Sequence, residues 1–143
     1  HLAGLRTAIT GSLRSWARSV IAEYAIKAPD ESVALRQLSG GNQQKVVVAR
    51  ELYEQPKVLL LCQPTRGVDL GAIDFIYGRI AEATARGCGV LLISADLDEI
   101  LRVADRIAVM YRGAIVAEQD AEGATREGLG LFMAGYQQHA EAS

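Results

Sequence analysis

The chain has 143 residues, half of them hydrophobic, with a formal net charge of −2 and a pI of about 5.7. That length suits one domain or part of one, and the apolar share is enough to form a core. The sequence shows no basic patch of the kind that binds nucleic acid, and no apolar run approaches the roughly 18 to 20 residues of a membrane span. Cys62 and Cys88 form no CxxC pair and have no nearby histidine, which predicts two free, reduced thiols and no metal site.

The first part of the chain, residues 2 to about 27, is predicted to be helical because apolar residues recur at steps of three or four. That apolar face comprises Leu5, Ile9, Leu13, Trp16, Val20 and Tyr24. Gly11-Ser12 leaves open a split into two helices, and Pro29-Asp30 ends the pattern. Trp16 and Tyr24 are expected to pack inside this helical segment, with a subunit contact as the alternative. The polar stretch from Lys27 to Gln37 predicts a loop.

The sequence Ser39-Gly40-Gly41 then leads into a helix predicted from Gln43 to about Glu54. Ser39 is predicted to be the N-cap, with its hydroxyl accepting a bond from a free backbone N–H of the first turn. Gly40 and Gly41 lack a Cβ, so a ligand can approach the backbone closely. Free N–H groups and the positive end of the helix dipole suit an anion such as phosphate. These residues alone leave open an ordinary capped surface helix.

The remainder of the chain predicts strands alternating with helices. Val58 to Cys62 is apolar at every position, which predicts a strand buried on both faces of a parallel sheet. The other predicted elements are a helix from Leu70 to about Arg86, a strand from Val90 to Ser94, a short helix from Leu97 to Ala104 capped by Asp96, a strand from Arg106 to Tyr111, a hairpin return from Ile115 to Glu118, and a weak helix from Leu129 to Tyr136 before a frayed end. Each β-α-β step implies a parallel pair with a right-handed crossover. The order predicts an α/β fold with ligands at the carboxyl ends of strands, in the loops after Cys62 and Ser94.

The stretch from Leu38 to Lys45, Leu-Ser-Gly-Gly-Asn-Gln-Gln-Lys, resembles the signature motif of ATP-binding-cassette (ABC) ATPases. Pro-Thr-Arg-Gly-Val-Asp at residues 64–69 and the stretch from Ala104 to Met110 are similar to later motifs in the second cassette of two-cassette ATPases for simple-sugar and nucleoside import. The sequence Gln-Pro-Thr-Arg-Gly favours the nucleoside branch. The resemblance covers roughly residues 20 to 120.

The resemblance implies a partial P-loop NTPase (ABC ATPase) fold. Residues 1–54 are expected to be the end of a helical subdomain with the signature and its helix. Residues 55–121 are expected to be the later half of the ATPase core, a parallel-sheet part ending in a β-hairpin, and 122–143 a helical tail. Together they would form one incomplete cassette.

Three departures from the family pattern concern chemistry. No glycine is followed by lysine, so the P-loop GxxxxGK[ST] is not in this sequence; in the family it lies upstream of the signature. Cys62 and Gln63 stand where the family carries a magnesium-binding aspartate and a water-polarising glutamate. A thiol is a poor Mg²⁺ ligand, and Gln63 has no charge to act as a base, although it can orient a water. Ala95 stands where the family often has a switch histidine. Hydrolysis at this cassette's own site is therefore expected to be weak or nil, with no metal held by this chain.

The signature and Asp69 keep the family pattern. In the family, ATP lies between two cassettes, with the P-loop of one facing the signature of the other. The resemblance implies contacts to the γ-phosphate of ATP held by a partner cassette from Ser39, Gly40, Gly41 and Gln43. Asp69 is expected to reach across the interface, and it also suits the N-cap of the helix from Leu70; both roles can hold. For Lys45 and Arg66, a solvated surface charge is the favoured expectation.

The implied function is that of a nucleotide-binding subunit that couples ATP binding and hydrolysis to uptake of a simple sugar or nucleoside. The expected partners are a second cassette, membrane permease subunits, and ATP with Mg²⁺ held mainly by the partner cassette, but not nucleic acid. The expected location is cytoplasmic, on the inner face of the cell membrane. Two alternatives remain: a non-catalytic structural or regulatory fragment that does not engage ATP, and a cassette ATPase of the DNA-repair or translation type. The latter tends to carry intact carboxylates, the switch histidine and a basic surface, which this chain lacks.

Overall fold

The structure, a computed structural model, describes residues 2–136, with side chains described from residue 11 onward. Its elements are α1 (Leu2–Glu23), a 3-10 turn (Leu35–Gln37), α2 (Gly40–Tyr53), β1 (Val58–Cys62), α3 (Leu70–Ala85), β2 (Gly89–Ile93), α4 (Leu97–Val103), β3 (Arg106–Tyr111), β4 (Ala114–Asp120) and α5 (Arg126–Met133). The predicted frayed end, residues 137–143, lies outside this part. Within it, no helix has the length and apolar character needed to cross a membrane.

The described residues form two compact units. One comprises residues within 1–60 and 64–91, and the other residues within 61–63 and 92–143. The first unit contains α1, α2 and α3, and the second contains α4, the β3–β4 hairpin and α5. Strands β1 and β2 each have residues in both units.

Helix α1 runs through residues 11 and 12 without a break, so the split into two helices does not occur. It ends earlier than the predicted residue 27. The reason is a Schellman-type stop, in which Ile26 N–H donates to Ile21 O (2.9 Å) and Ala25 N–H donates to Ala22 O (3.2 Å). Ala25 occupies the left-handed position of this stop with φ 47°. An alanine there gives no helix-end signal in the sequence, because glycine is the usual residue.

Helix α2 packs against α3, and each buries a face whose members recur at steps of three or four. The buried residues are Gly41, Val48, Ala49 and Leu52 in α2, and Ala72, Ile76, Tyr77, Ile80 and Ala83 in α3. Tyr24 is buried, as expected, and its ring makes an edge-to-face contact with the Phe75 ring at a centroid distance of 6.1 Å. Trp16 packs edge-on against Tyr53 at 5.1 Å, yet 41 % of it remains exposed.

Strands β1 and β2 form a two-stranded parallel sheet. Gly89 N–H donates to Lys57 O at one end (2.9 Å) and Gln63 N–H to Ile93 O at the other (2.8 Å), as parallel strands require. The prediction that Val58 to Cys62 is buried on both faces is wrong for these residues. Burial alternates along β1, because the described residues cover only one face of the strand, and Leu60 is 63 % exposed.

Strand β3 pairs antiparallel with β4 in a separate two-stranded sheet, so the second predicted parallel pair, β2 with β3, is wrong. The predicted hairpin is confirmed. Arg112 and Gly113 both have positive φ (49° and 82°), which gives a tight type I′ turn. This turn brings β4 directly beside β3, and closing so short a loop has a low entropic cost. Helix α5 packs on β3, and Ile107, Val109 and Leu129 form the core there.

Candidate functional site

The start of α2 is the centre of the candidate site. Ser39 is the N-cap, with extended backbone (φ −63°, ψ 157°), but its hydroxyl caps no backbone N–H, so that prediction is wrong. The hydroxyl oxygen instead accepts a bond from Asn42 Nδ2 at 2.8 Å. The N-cap residue therefore leaves the first turn of α2 without a cap from its own side chain. The N–H groups at the positive end of the helix dipole are therefore available to an anion.

Two glycines let α2 approach the loop before α3 closely. A Cβ on Gly41 would lie 2.7 Å from Asp69 Oδ2 and 2.9 Å from Ala72 Cβ, and a Cβ on Gly40 would lie 3.2 Å from Gly67 O. Gly41 is buried by these neighbours. The close approach that the sequence reserves for a ligand is thus used, at Gly41, by the chain's own loop. Gly40 is exposed and remains open to a ligand.

Gln43 is engaged within the chain. Its side-chain Nε2 donates to Leu38 O at 2.8 Å, and its backbone N–H donates to Ser39 O at 2.9 Å. The side chain thus fixes the backbone that enters the helix. Its contact with a phosphate stays a prediction.

Asp69 is the N-cap of α3, as the sequence predicts. Its Oδ1 accepts a bond from Ala72 N–H at 3.0 Å, while Oδ2 faces Gly41. The residue is nevertheless exposed, so one carboxylate both caps α3 and borders the first turn of α2. Its reach toward a partner stays a prediction. Arg66 is exposed, in line with the expectation of a solvated charge.

Lys45 is partly exposed, but its charge is also bonded within the chain, which the expectation of a solvated surface charge did not include. Its ammonium Nζ donates to Ala25 O at 3.1 Å and lies 4.4 Å from the centroid of the Phe75 ring. One lysine thereby touches the turn after α1 and helix α3. The sequence carries no signal for this, because the acceptor is a backbone carbonyl and the aromatic partner lies on another helix.

Of the three degenerate positions, Cys62 is the last residue of β1, Gln63 directly follows it, and Ala95 lies two residues after β2. Cys62 is exposed, Gln63 is partly exposed with left-handed backbone (φ 51°), and Ala95 is exposed in the loop between β2 and α4. Neither Cys62 nor Gln63 presents the charged oxygen that Mg²⁺ prefers. Residues 2–136, as far as their side chains are described, contain no group of three or more His, Cys, Asp or Glu residues that could hold a metal ion. By their donor chemistry, Cys62 and Gln63 do not fit a magnesium ion.

The loop that leads to Ser39 is anchored electrostatically to α1. Arg18 donates to Glu31 through Nη2 and Nε, at 2.8 Å and 3.0 Å. These bonds to Arg18, followed by a backbone hydrogen bond, lower the pKa of Glu31 to about 2. The Ser32 hydroxyl and N–H lower the pKa of Asp30 in the same loop. The loop before Ser39 is thus held by an ion pair that persists at neutral pH.

Comparisons with known proteins agree with the motifs. Residues 5–66 match the sequence profile of a family described as ABC transporter. The guanosine import ATP-binding protein NupO of Bacillus subtilis (strain 168) is 46 % identical over 125 residues, 87 % of this chain and 24 % of that protein. The ribose import ATP-binding protein RbsA of Lactococcus lactis subsp. cremoris (strain SK11) is 52 % identical over 102 residues, 71 % of this chain and 21 % of that protein.

A solved ATP-binding cassette of an ABC transporter is similar in fold, with a TM-score of 0.63 at 27 % identity over 82 % of this chain and 45 % of that one. The chain spans about a quarter of the length of the curated import proteins that it matches (24 % and 21 %).

Proposed function

Because this chain belongs to the ATP-binding domains of ABC transporters, we propose that it acts in the nucleotide-binding subunit of an importer for a nucleoside or a simple sugar. In that subunit it supplies the signature helix α2 to a composite ATP site, whose phosphates are held by the P-loop of a second cassette. Membrane permease subunits are the further partners, which places the subunit at the inner face of the cell membrane. Residues 1–54, 55–121 and 122–143 are the proposed parts of one incomplete cassette.

The observation that carries this proposal is the uncapped first turn of α2. Its N–H groups lie at the positive end of the helix dipole, and the N-cap Ser39 and the first two helical residues, Gly40 and Gly41, carry a small side chain or none. Such a helix start suits the terminal phosphate of a nucleotide that another domain binds. Asp69 borders this surface, where it contacts a partner in the proposed site.

The residues at this cassette's own strand ends support a composite site in which the two cassettes have different roles. Cys62, Gln63 and Ala95 supply neither a magnesium ligand nor a charged base. ATP and Mg²⁺ are therefore held mainly by the partner cassette, and this chain contributes binding and orientation of the γ-phosphate. Gln63 retains the capacity to orient a water.

The test is Ser39→Arg in the assembled importer that contains this chain, with Ser12→Arg as the matched control. Both serines are exposed, so neither change disturbs a core. Ser39→Arg fills the helix start with a long side chain and removes the hydroxyl, and a lost hydrogen bond to a charged group predicts a fall in ATP turnover of about tenfold or more. Ser12→Arg leaves turnover unchanged. Equal turnover in both variants would refute the composite site.

A second function, a structural or regulatory cassette part that does not engage ATP, is favoured by the three degenerate positions alone. It predicts that Ser39→Arg leaves ATP turnover unchanged in the assembly. The same measurement therefore separates the two functions.

A further inference from the structure

The turn after α1 is attached to α2 by two side chains that lie one helical turn apart on the same face. Asn42 Oδ1 accepts a bond from Lys27 N–H at 2.8 Å, and Lys45 Nζ donates to Ala25 O at 3.1 Å. Asn42 also donates through Nδ2 to Ser39 Oγ at 2.8 Å. The turn is thus connected through Asn42 directly to the signature serine. We call the contacts of Asn42 and Lys45 with this turn the turn clamp.

The turn itself is held in an unusual backbone conformation. Ala25 has φ 47°, in the left-handed region that glycine favours, so its geometry depends on the surrounding contacts. The Lys45 ammonium bonds the carbonyl of this same residue. Without that bond, no contact from the Lys45 side chain of α2 holds the Ala25 carbonyl in place.

Aromatic and charged side chains complete the support from α3. The Lys45 ammonium lies 4.4 Å from the Phe75 ring centroid, and the Tyr24 ring makes an edge-to-face contact with the same phenylalanine at a centroid distance of 6.1 Å. Arg79 covers the Tyr24 ring at 4.5 Å and forms an ion pair with Glu23. The ammonium group of Lys45, on α2, therefore contacts both the turn after α1 and helix α3.

We propose that Lys45 is a positioning residue for the signature, acting through the turn clamp. It fixes the turn after α1, which in turn fixes Asn42 and the Ser39 hydroxyl at the start of α2. A displacement of α1 thereby reaches the uncapped first turn of α2. This inference rests on the proposed function, in which that turn engages the γ-phosphate of ATP on another cassette.

The experiment compares Lys45→Met, Lys45→Arg and Arg50→Met in the assembled importer. Methionine keeps much of the side-chain bulk but has no donor, whereas arginine can both donate to Ala25 O and stack on Phe75. Arg50 is the control on the same helix, since it is exposed and pairs with its neighbour Glu51. ATP turnover is measured for kcat and KM, and amide hydrogen exchange is measured over residues 38–44.

Lys45→Met is expected to lower kcat about tenfold, which is the size expected for a lost hydrogen bond to a charged group. The KM for ATP is expected to stay unchanged, because the partner cassette holds the ATP. Amide exchange over residues 38–44 rises in parallel, Lys45→Arg restores both quantities, and Arg50→Met changes neither. A wild-type kcat in Lys45→Met, or a lowered melting temperature with unchanged kcat per folded molecule, would overturn the positioning role. If Ser39→Arg lowers turnover and Lys45→Met does not, the positioning role alone fails; if Ser39→Arg leaves turnover unchanged, the composite site fails.

Discussion

Replacing Gly41 by alanine is predicted to destabilise the protein, although alanine is the better helix former. The added Cβ would lie 2.7 Å from Asp69 Oδ2 and 2.9 Å from Ala72 Cβ. The Asp69 carboxylate can rotate away, but it then gives up its bond to Ala72 N–H at the start of α3. The Ala72 Cβ is attached to the helix backbone, so it can yield only if α2 and α3 move apart.

The expected change in the free energy of unfolding combines one stabilising contribution with two destabilising ones. Alanine in place of glycine gains about 1 kcal/mol of helix propensity. Overpacking a close contact costs about 2 kcal/mol, and losing an N-cap costs about 1 kcal/mol. The net expectation for Gly41→Ala is therefore a loss of about 2 kcal/mol in the free energy of unfolding, measured by urea denaturation.

Gly78→Ala is the matched control, because it lies within α3 and its Cβ would meet nothing within 4 Å. It is expected to raise the free energy of unfolding by about 1 kcal/mol. In an Asp69→Ala background, Gly41→Ala should cost less, since the cap is already gone, but it should still destabilise because of Ala72. Stabilisation by Gly41→Ala comparable to that by Gly78→Ala would refute the proposed contact between α2 and the loop before α3.

Two further predictions concern charge. The folded pKa of Glu31, about 2, lies below its ordinary value of 4.5, so the unfolded state binds more protons between these values. Stability therefore falls as pH drops from about 4.5 toward 2, and Glu31→Gln should flatten this dependence in denaturant unfolding series; an unchanged slope would contradict the Arg18 pairing. The double change Cys62→Asp with Gln63→Glu should give the purified chain no ATPase activity, because carboxylates without a P-loop have no held phosphate to act on. Phosphate release above background would contradict this.

The sequence predicted most element positions because hydrophobic periodicity and turn residues act locally. The hairpin at Arg112 and Gly113, the cap at Asp69 and the strand from Val58 to Cys62 all follow from neighbouring residues. Burial of that strand on both faces did not follow, since burial depends on the layers that cover a sheet. Pairing of β3 likewise depends on which partner strand is available.

At the candidate site, several side chains bond to or pack against groups elsewhere in this chain, and the sequence did not predict these contacts. The motif predicts that Ser39 and Gly41 contact a ligand. In the structure, the Ser39 hydroxyl accepts a bond from Asn42, and Gly41 packs against Asp69. Asparagine and lysine in a polar helix are ordinary surface residues by composition. Their attachment to the turn after α1 depends on contacts between residues far apart in the chain, which no local pattern encodes.

The most direct test of the account is nucleotide binding by the purified chain with and without a partner cassette that carries a P-loop. In the proposed site, α2 acts on a phosphate that another domain holds. Calorimetric titration of the chain alone with Mg-ATP should therefore show no binding up to millimolar nucleotide, whereas the chain should tighten ATP binding when the partner cassette is present. Micromolar affinity of the chain alone would contradict the proposed site, as would a partner whose ATP affinity the chain leaves unchanged.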